Sequence, residues 1–461
     1  MLSFIPITVV MLGCLQIVSG YNVGTGIYDV TGPSVEINFM GYAVPGQRGT
    51  GIHMRLKARA FAFEDEEKRF VFVSVDGGMG SDLVNFRVVE KLNAALGEGV
   101  YSMDSISISG THTHSGPAGF LQYVLYQMTS LGFVQETFDA WVDGITQAIL
   151  LAHANLARGR VMLSQGPLYG ANINRSPTSY LLNPSEERAK YDGDTDKNMF
   201  LLNLLSGDKP VGVLNWFAVH GTSMNNTNTL TSGDNRGYAS YALERLMNGP
   251  SKAGKGAFVA AFASSNLGDV SPNTNGAKCI DTGLDCDGTS STCNGRCENC
   301  IAFGPGEDGD MFQSTQIIGD KQFQHAVGLM DAGEEVSGKI DYRHSWVKMS
   351  ELNVTLGDGS SVQLCSPAMG YSFAAGTTDG PGMFNFAQGT TTDSPFWDRV
   401  RDFLSTPTDL EIACQAPKPI LLNTGDVEKP YEWDPETVPV QILRLGNVFV
   451  LSVPGELTTM A

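Results

Sequence analysis

VGVLNWFAVHG, residues 211–221, decides how this chain is read. An apolar run rich in β-branched and aromatic residues stops abruptly at His220, and a glycine follows to turn the chain. The pattern recurs. Phe70–Val75 (FVFVSV) runs into Asp76-Gly77-Gly78, and Ser105–Ser109 (SISIS) runs into Gly110-Thr111-His112-Thr113-His114. Residues 257–263 (AFVAAFA) lead into Ser264-Ser265-Asn266, and Asn447–Val453 (NVFVLSV) leads into Pro454-Gly455-Glu456. Between these runs lie helical periodicities over Leu83–Leu96, Phe138–Leu156, Tyr238–Met247 and Thr315–Met330. Strands alternating with helices predict an α/β fold, a mixed sheet flanked by helices and buried on both faces. Ligands of such sheets gather beyond the carboxyl ends of the strands. Asp76, His112, His220 and Glu456 all stand there.

Composition narrows the function classes. The chain has 461 residues, 42% of them hydrophobic, with 30 Lys+Arg against 49 Asp+Glu and a net charge of −19. Such a chain can build a large core, so it is not globally disordered. Its acidity argues against a nucleic-acid partner, which would require a basic face. The 53 glycines have no three-residue period, which excludes collagen. No repeat or clear linker divides the chain, and its length and composition suit a globular protein of one or two domains.

Residues 1–20 (MLSFIPITVVMLGCLQIVSG) carry no charge and are largely apolar to Val18, with small residues at the end. They are read as a signal peptide, which places the protein on the secretory pathway, secreted or at the extracellular face of the plasma membrane. Beyond Cys14, the cysteines are Cys279, Cys286, Cys293, Cys297, Cys300, Cys365 and Cys414. Five of them crowd residues 279–300, a Gly/Asn/Thr-rich segment with few apolar residues. In a secreted protein that reads as disulfide stapling rather than as a zinc knuckle. Sequons occur at Asn174, Asn225 and Asn353. Asn353 is the expected glycan site, because the other two adjoin candidate active-site residues.

His112 and His114 face the same side if their segment stays extended. With His220 and Glu456 added from other strand ends, His112, His220 and Glu456 make a His₂Glu set suited to zinc, with room for water. Zinc lowers the pKa of bound water from about 15.7 to about 7 and so supplies a nucleophile at neutral pH. Such chemistry also needs an oxyanion donor and a proton donor for the leaving group. His114 adjoins the set in sequence, and Arg175 lies in the turn-rich NINRSP (172–177). Ser271, in GDVSPN (268–273), is a rival nucleophile, although it lacks the GxSxG elbow and Ser-Pro is ordinary turn chemistry.

These motifs resemble those of the neutral ceramidases. The resemblance rests on GTHTHSGPAG (110–119), NINRSP (172–177), WFAVHGTSMNN (216–226), GDNRGYASY (233–241), AFASSNLGDVSPN (261–273), MGYSFAAGTTDG (369–380) and PGELTTMA (454–461), and it runs from about Tyr21 onward. It implies hydrolysis of the amide of ceramide (N-acylsphingosine) to sphingosine and a fatty acid, with a membrane lipid as substrate and contact with a membrane surface. It implies one zinc ion on His112, His220 and Glu456, substrate polarisation by His114 and Arg175, and a nucleophilic role for Ser271. It also implies a calcium ion that takes a main-chain carbonyl at His53. By the same resemblance Cys279 pairs with Cys293, Cys286 with Cys300 and Cys365 with Cys414, leaving Cys297 free. The family continues beyond the position of Ala461 into a helical region and a β-sandwich, where a tyrosine zinc ligand and the other calcium ligands lie. The resemblance thus implies that residues 21–461 are one catalytic domain truncated at its C-terminal end, with Glu456 loosely held and the 461-residue form weakly active or inactive and aggregation-prone. Two other readings stay open: a serine amidase with structural zinc, and a secreted glycoprotein that binds ceramide without turnover.

Overall fold

The computed structural model describes residues 20–382, 384 and 386–460. The expected signal peptide, residues 1–20, lies outside the described residues except for Gly20. Among the described residues, the largest sheet is built from β1 (Tyr21–Asp29), β2 (Lys57–Glu64), β3 (Arg69–Val75), β4 (Ile106–Gly110), β5 (Ala157–Pro167), β6 (Asn198–Ser206), β7 (Lys209–Phe217) and β8 (Val259–Ser264). The short β9 (Glu334–Glu335) is added on β5. The strand order is β8-β7-β6-β5-β1-β2-β3-β4. Only the outermost pairs, β3 with β4 and β7 with β8, run parallel. The first is bridged by α1 (Asp82–Leu96), and the second by α3 (Asp234–Asn248). The inner strands are antiparallel.

Two further helices, α2 (Gln135–Ala154) and α4 (Met311–Met330), complete the outer layer. Strand β2, KARAFAFE, shows why. Ala58, Ala60 and Ala62 turn toward Val84 and Val88 of α1 and Trp141 and Ile145 of α2, while Phe61 and Phe63 turn to the other face. Small residues on the helix side let α2 lie close. A Cβ on Gly26 would stand 2.1 Å from the Ala148 carbonyl oxygen, so only glycine fits there. Beyond β1, Ala239 and Leu243 of α3 and Ile318 and Ala326 of α4 cover Leu201, Val213 and Phe262.

Both faces of the sheet are buried as expected, the outer by helices and the inner by the sheet itself. The sheet curls, and its two halves pack on each other: Phe61, Phe63 and Phe72 meet Leu202, Leu214 and Ala261. Phe72 and Trp216 stack edge to face at 5.4 Å. The edge strands meet, with Ser264 Oγ donating to the Gly110 carbonyl at 3.1 Å. A three-stranded sheet of β10 (Ile340–Lys348), β11 (Thr437–Leu445) and β12 (Val448–Ser452) plugs the rest, burying Leu443 and Leu445 in the same cluster. Each fully buried aromatic there contributes about 1.5–3 kcal/mol. The run before Glu456 is therefore strand β12 of this smaller sheet rather than part of the main one.

The bridges Cys279–Cys293, Cys286–Cys300 and Cys365–Cys414 are formed, with Cα separations of 5.6, 5.8 and 6.4 Å. Cys297 is a buried free thiol. No helix among the described residues is long and apolar enough to cross a membrane.

Candidate metal centre and active site

Closing the curl brings together the chain segments that leave β4 and β7. Thr113 and Gly221 pair as an isolated parallel bridge. A Cβ on Gly221 would stand 2.5 Å from the His112 carbonyl oxygen, so the approach requires glycine. His112 is not extended: its φ is +63°, a left-handed conformation that bulky residues seldom adopt. Its N–H donates to Gly77 O at 2.8 Å and its Nδ1 faces Gly78 O, so the turn after Asp76 braces both backbone and ring. His220 N–H donates to Val270 O at 3.0 Å, and its Nδ1 lies 2.7 Å from Leu267 O. Each Nδ1 that faces a carbonyl carries the proton, which leaves Nε2 as a lone pair turned inward.

Those lone pairs converge. His112 Nε2 lies 3.0 Å from His114 Nε2 and 2.9 Å from Glu456 Oε1, and His220 Nε2 lies 3.3 Å from Glu456 Oε2. Buried His220 Nε2 has no hydrogen-bond partner. A tetrahedral ion with bonds of about 2.0–2.1 Å sets its ligands about 3.3 Å apart, close to these separations. His112, His114 and His220 together form a group that could hold a metal ion. Burial pushes His220 down to about 3, with Arg175 adding to the shift. Burial, then the neighbouring histidines and Arg175, holds His114 well below its usual value. Burial works to raise Glu456, but the facing His112 and His220 hold its carboxyl well below the usual range. A neutral His114 and His220 beside an ionised Glu456 carboxylate are the protonation states that a cation needs.

Arg175 reaches the rim. Its Nε and Nη2 donate to Gly268 O at 3.2 and 2.9 Å, and Nη2 lies 3.8 Å from Glu456 Oε2. Ser271 pairs in a two-residue strand with Ile173, beside Val270, whose carbonyl contacts the His220 ring. Its side chain is fully buried, and its hydroxyl donates to Asp379 Oδ1 at 2.6 Å.

The family model "Neutral/alkaline non-lysosomal ceramidase, N-terminal" matches residues 21–461. The chain belongs to that family. It is 53% identical to neutral ceramidase B of Dictyostelium discoideum, over 96% of this chain and 62% of that protein. It is 48% identical to the neutral ceramidase of Drosophila melanogaster, over 100% of this chain and 67% of that one. Among solved structures, a ceramidase complexed with C2 matches with a TM-score of 0.79 and 38% identity, over 96% of this chain and 64% of that one. Neutral ceramidase from Pseudomonas aeruginosa matches at 0.77 and 35%, over 96% and 63%. The chain thus spans less than two thirds of the length of the Dictyostelium relative.

Glu456 and Asp76 sit differently from the sequence reading. Glu456 is not loosely held. Gly268 N–H donates to Leu457 O at 2.9 Å, and Asp269 Oδ1 accepts from Thr459 N and Oγ1, each at 2.9 Å. Asp76 is spent in the core, accepting from Arg59 Nη1 at 2.8 Å, while Arg59 Nε binds Glu244 Oε1 at 2.8 Å. His53 is exposed, with Nδ1 3.1 Å from Ser232 Oγ. Asn353 is exposed on a short strand, whereas Asn174 is buried and donates to Asp269 Oδ2 at 2.9 Å. Asp269 and Asp379 are the residues that sequence reasoning missed. Both lie inside quoted motifs, GDVSPN and GTTDG, and a carboxylate in a tight turn beside candidate site residues was the available signal.

Proposed function

We propose that residues 21–461 form the catalytic domain of a zinc-dependent hydrolase that cleaves the linear amide C–N bond of ceramide, releasing sphingosine and a fatty acid in sphingolipid catabolism. The observation that carries this reading is the convergence of buried His112 Nε2 and His220 Nε2 on the Glu456 carboxylate, with both Nδ1 atoms committed to carbonyls. The names of the relatives supply the substrate class. His112, His220 and Glu456 would hold the zinc, which supplies Lewis acidity to polarise a carbonyl and acidify water. His114, kept neutral by burial, offers a ring N–H to the amide oxygen. Arg175 stabilises negative charge as it grows on that oxygen, beside Glu456. Ser271 lies against the same loops and orients the substrate or attacks it. A calcium ion at the His53 carbonyl, a glycan on Asn353, secretion and contact with a membrane surface belong to the same proposal.

Metal removal tests it. Purified protein assayed with a fluorescent ceramide should lose turnover on chelation and regain it with one zinc per chain. Turnover that survives stripping of the metal, in protein still folded, would favour the serine amidase. No turnover at any metal level would leave only ceramide binding.

A further inference from the structure

Asp379 is fully buried in its side chain, yet it touches three of the loops that build the site. Its Oδ1 accepts from Ser271 Oγ at 2.6 Å and from Asn273 Nδ2 at 2.8 Å, and its Oδ2 accepts from Thr222 Oγ1 at 2.8 Å. Arg175 Nη1 stands 3.9 Å from the same Oδ2. Thr222 lies two residues past His220, and Asn273 Nδ2 also reaches Thr222 O at 3.4 Å. Asp379 itself is held from behind: Thr378 N–H donates to Arg175 O at 3.1 Å, and Ala302 N–H, two residues from bridged Cys300, donates to Thr378 O at 2.7 Å.

We propose that Asp379 is a positioning residue that couples the Ser271 hydroxyl to the loop carrying His220. The proposal rests on the zinc amidase reading above, for its metal site as well as for its activity. A hydroxyl has one proton and two lone pairs. The Ser271 proton goes to Asp379, at the short distance of a charge-assisted bond, and one lone pair accepts from Asn273 N–H at 2.9 Å. One lone pair remains. In this state buried Ser271 keeps one acceptor site, suited to the N–H of a substrate amide. The other carboxylate oxygen meanwhile restrains Thr222 and, through it, the backbone of His220.

The test separates the two ends of the carboxylate. Zinc affinity is measured by competition with a chromogenic chelator, and turnover with a fluorescent ceramide. Asp379→Asn should lower both by about tenfold, the low end of the cost of losing a partner bonded directly to a metal ligand, because Asp379 reaches His220 only through Thr222. Ser271→Ala should lower turnover yet leave zinc affinity within about threefold, because Thr222 keeps its contact. Thr222→Val should weaken zinc binding by about tenfold and serves as the deciding variant if Asp379→Asn fails to fold. Unchanged zinc affinity in Asp379→Asn or Thr222→Val would overturn the coupling, as would equal loss of affinity in Ser271→Ala. If the unmodified protein binds zinc without turnover, the amidase reading alone fails and the zinc measurements still judge Asp379; if it binds no zinc, both fail.

Discussion

Replacing Asp269 with alanine should release the segment that carries Glu456. That carboxylate accepts two bonds from Thr459 and one from Asn174 Nδ2, each at 2.9 Å. A hydrogen bond to an ionised group contributes about 1.5–3 kcal/mol net. Asn174 Nδ2 keeps a second acceptor in Asp194 O at 2.9 Å, so that side loses little. Thr459 is half-buried, and water recovers part of its loss. The docking of residues 454–460 should therefore weaken by about 1.5–3 kcal/mol in total, roughly a tenfold to hundredfold rise in its open population. The assay is amide hydrogen exchange at Gly268, whose N–H is tied to Leu457 O and is freed only when the segment lifts. Protection there should fall by the same factor, and Thr459→Val, which loses one bond of the pair, should give an intermediate value. Unchanged protection at Gly268 in Asp269→Ala would refute the idea that this carboxylate anchors Glu456.

Arg175→Ala should cost turnover heavily, by about 2.7–4 kcal/mol of barrier if it serves the oxyanion, and should also lower the melting temperature modestly because two bonds to Gly268 O go with it. Normal turnover with only the thermal loss would make it purely structural. Burial lifts Asp234 from 3.8 to about 6 despite the N–H donors of Met224 and Asn235. Its folded pKa thus exceeds its unfolded one, so its contribution to stability is full below pH 3.8 and is lost as pH rises through about 6. Urea unfolding of the wild type against Asp234→Asn should show a stability difference that falls with rising pH across that window, by at most about 1.4 kcal/mol per unit, and a flat difference would contradict it. Replacing Cys286 and Cys300 by serine opens a loop whose ends are 14 residues apart and should cost about 3 kcal/mol by denaturant titration. A cost near zero would show that the neighbouring Cys279–Cys293 bridge alone holds this segment.

The two parallel edge units were legible because β3, β4, β7 and β8 are short apolar runs that end in a polar residue. The four helices showed their periodicity to within a few residues of the observed ends. The antiparallel middle was not legible. Strand β5 alternates exposed and buried residues, and β1 carries two glycines, so neither resembles a buried strand. The curl was invisible because it depends on Phe61, Phe63 and Phe72 meeting Leu202 and Leu214 across the sheet, a contact that no local pattern encodes. His112 and His220 could be placed from their strand ends. That His112 and His114 face each other owes nothing to an extended segment; it follows from the left-handed turn at His112. Asp269 and Asp379 act through hydrogen bonds to distant loops, and such partners leave no spacing signal.

The meeting of the sheet's two edges gives a bound cation a second office. Its candidate ligands come from three stretches of chain that approach only after Ser264 has reached Gly110, so an ion seated there grips the finished curl and not its parts. An ion selective for the folded form raises its stability by about 2.7 kcal/mol when present at a hundred times its dissociation constant. Metal supply during synthesis would then govern the lifetime of the protein as well as its chemistry. Chains that mature in zinc-poor surroundings would unfold and be degraded sooner, and abundance would report metal status before any assay of turnover did.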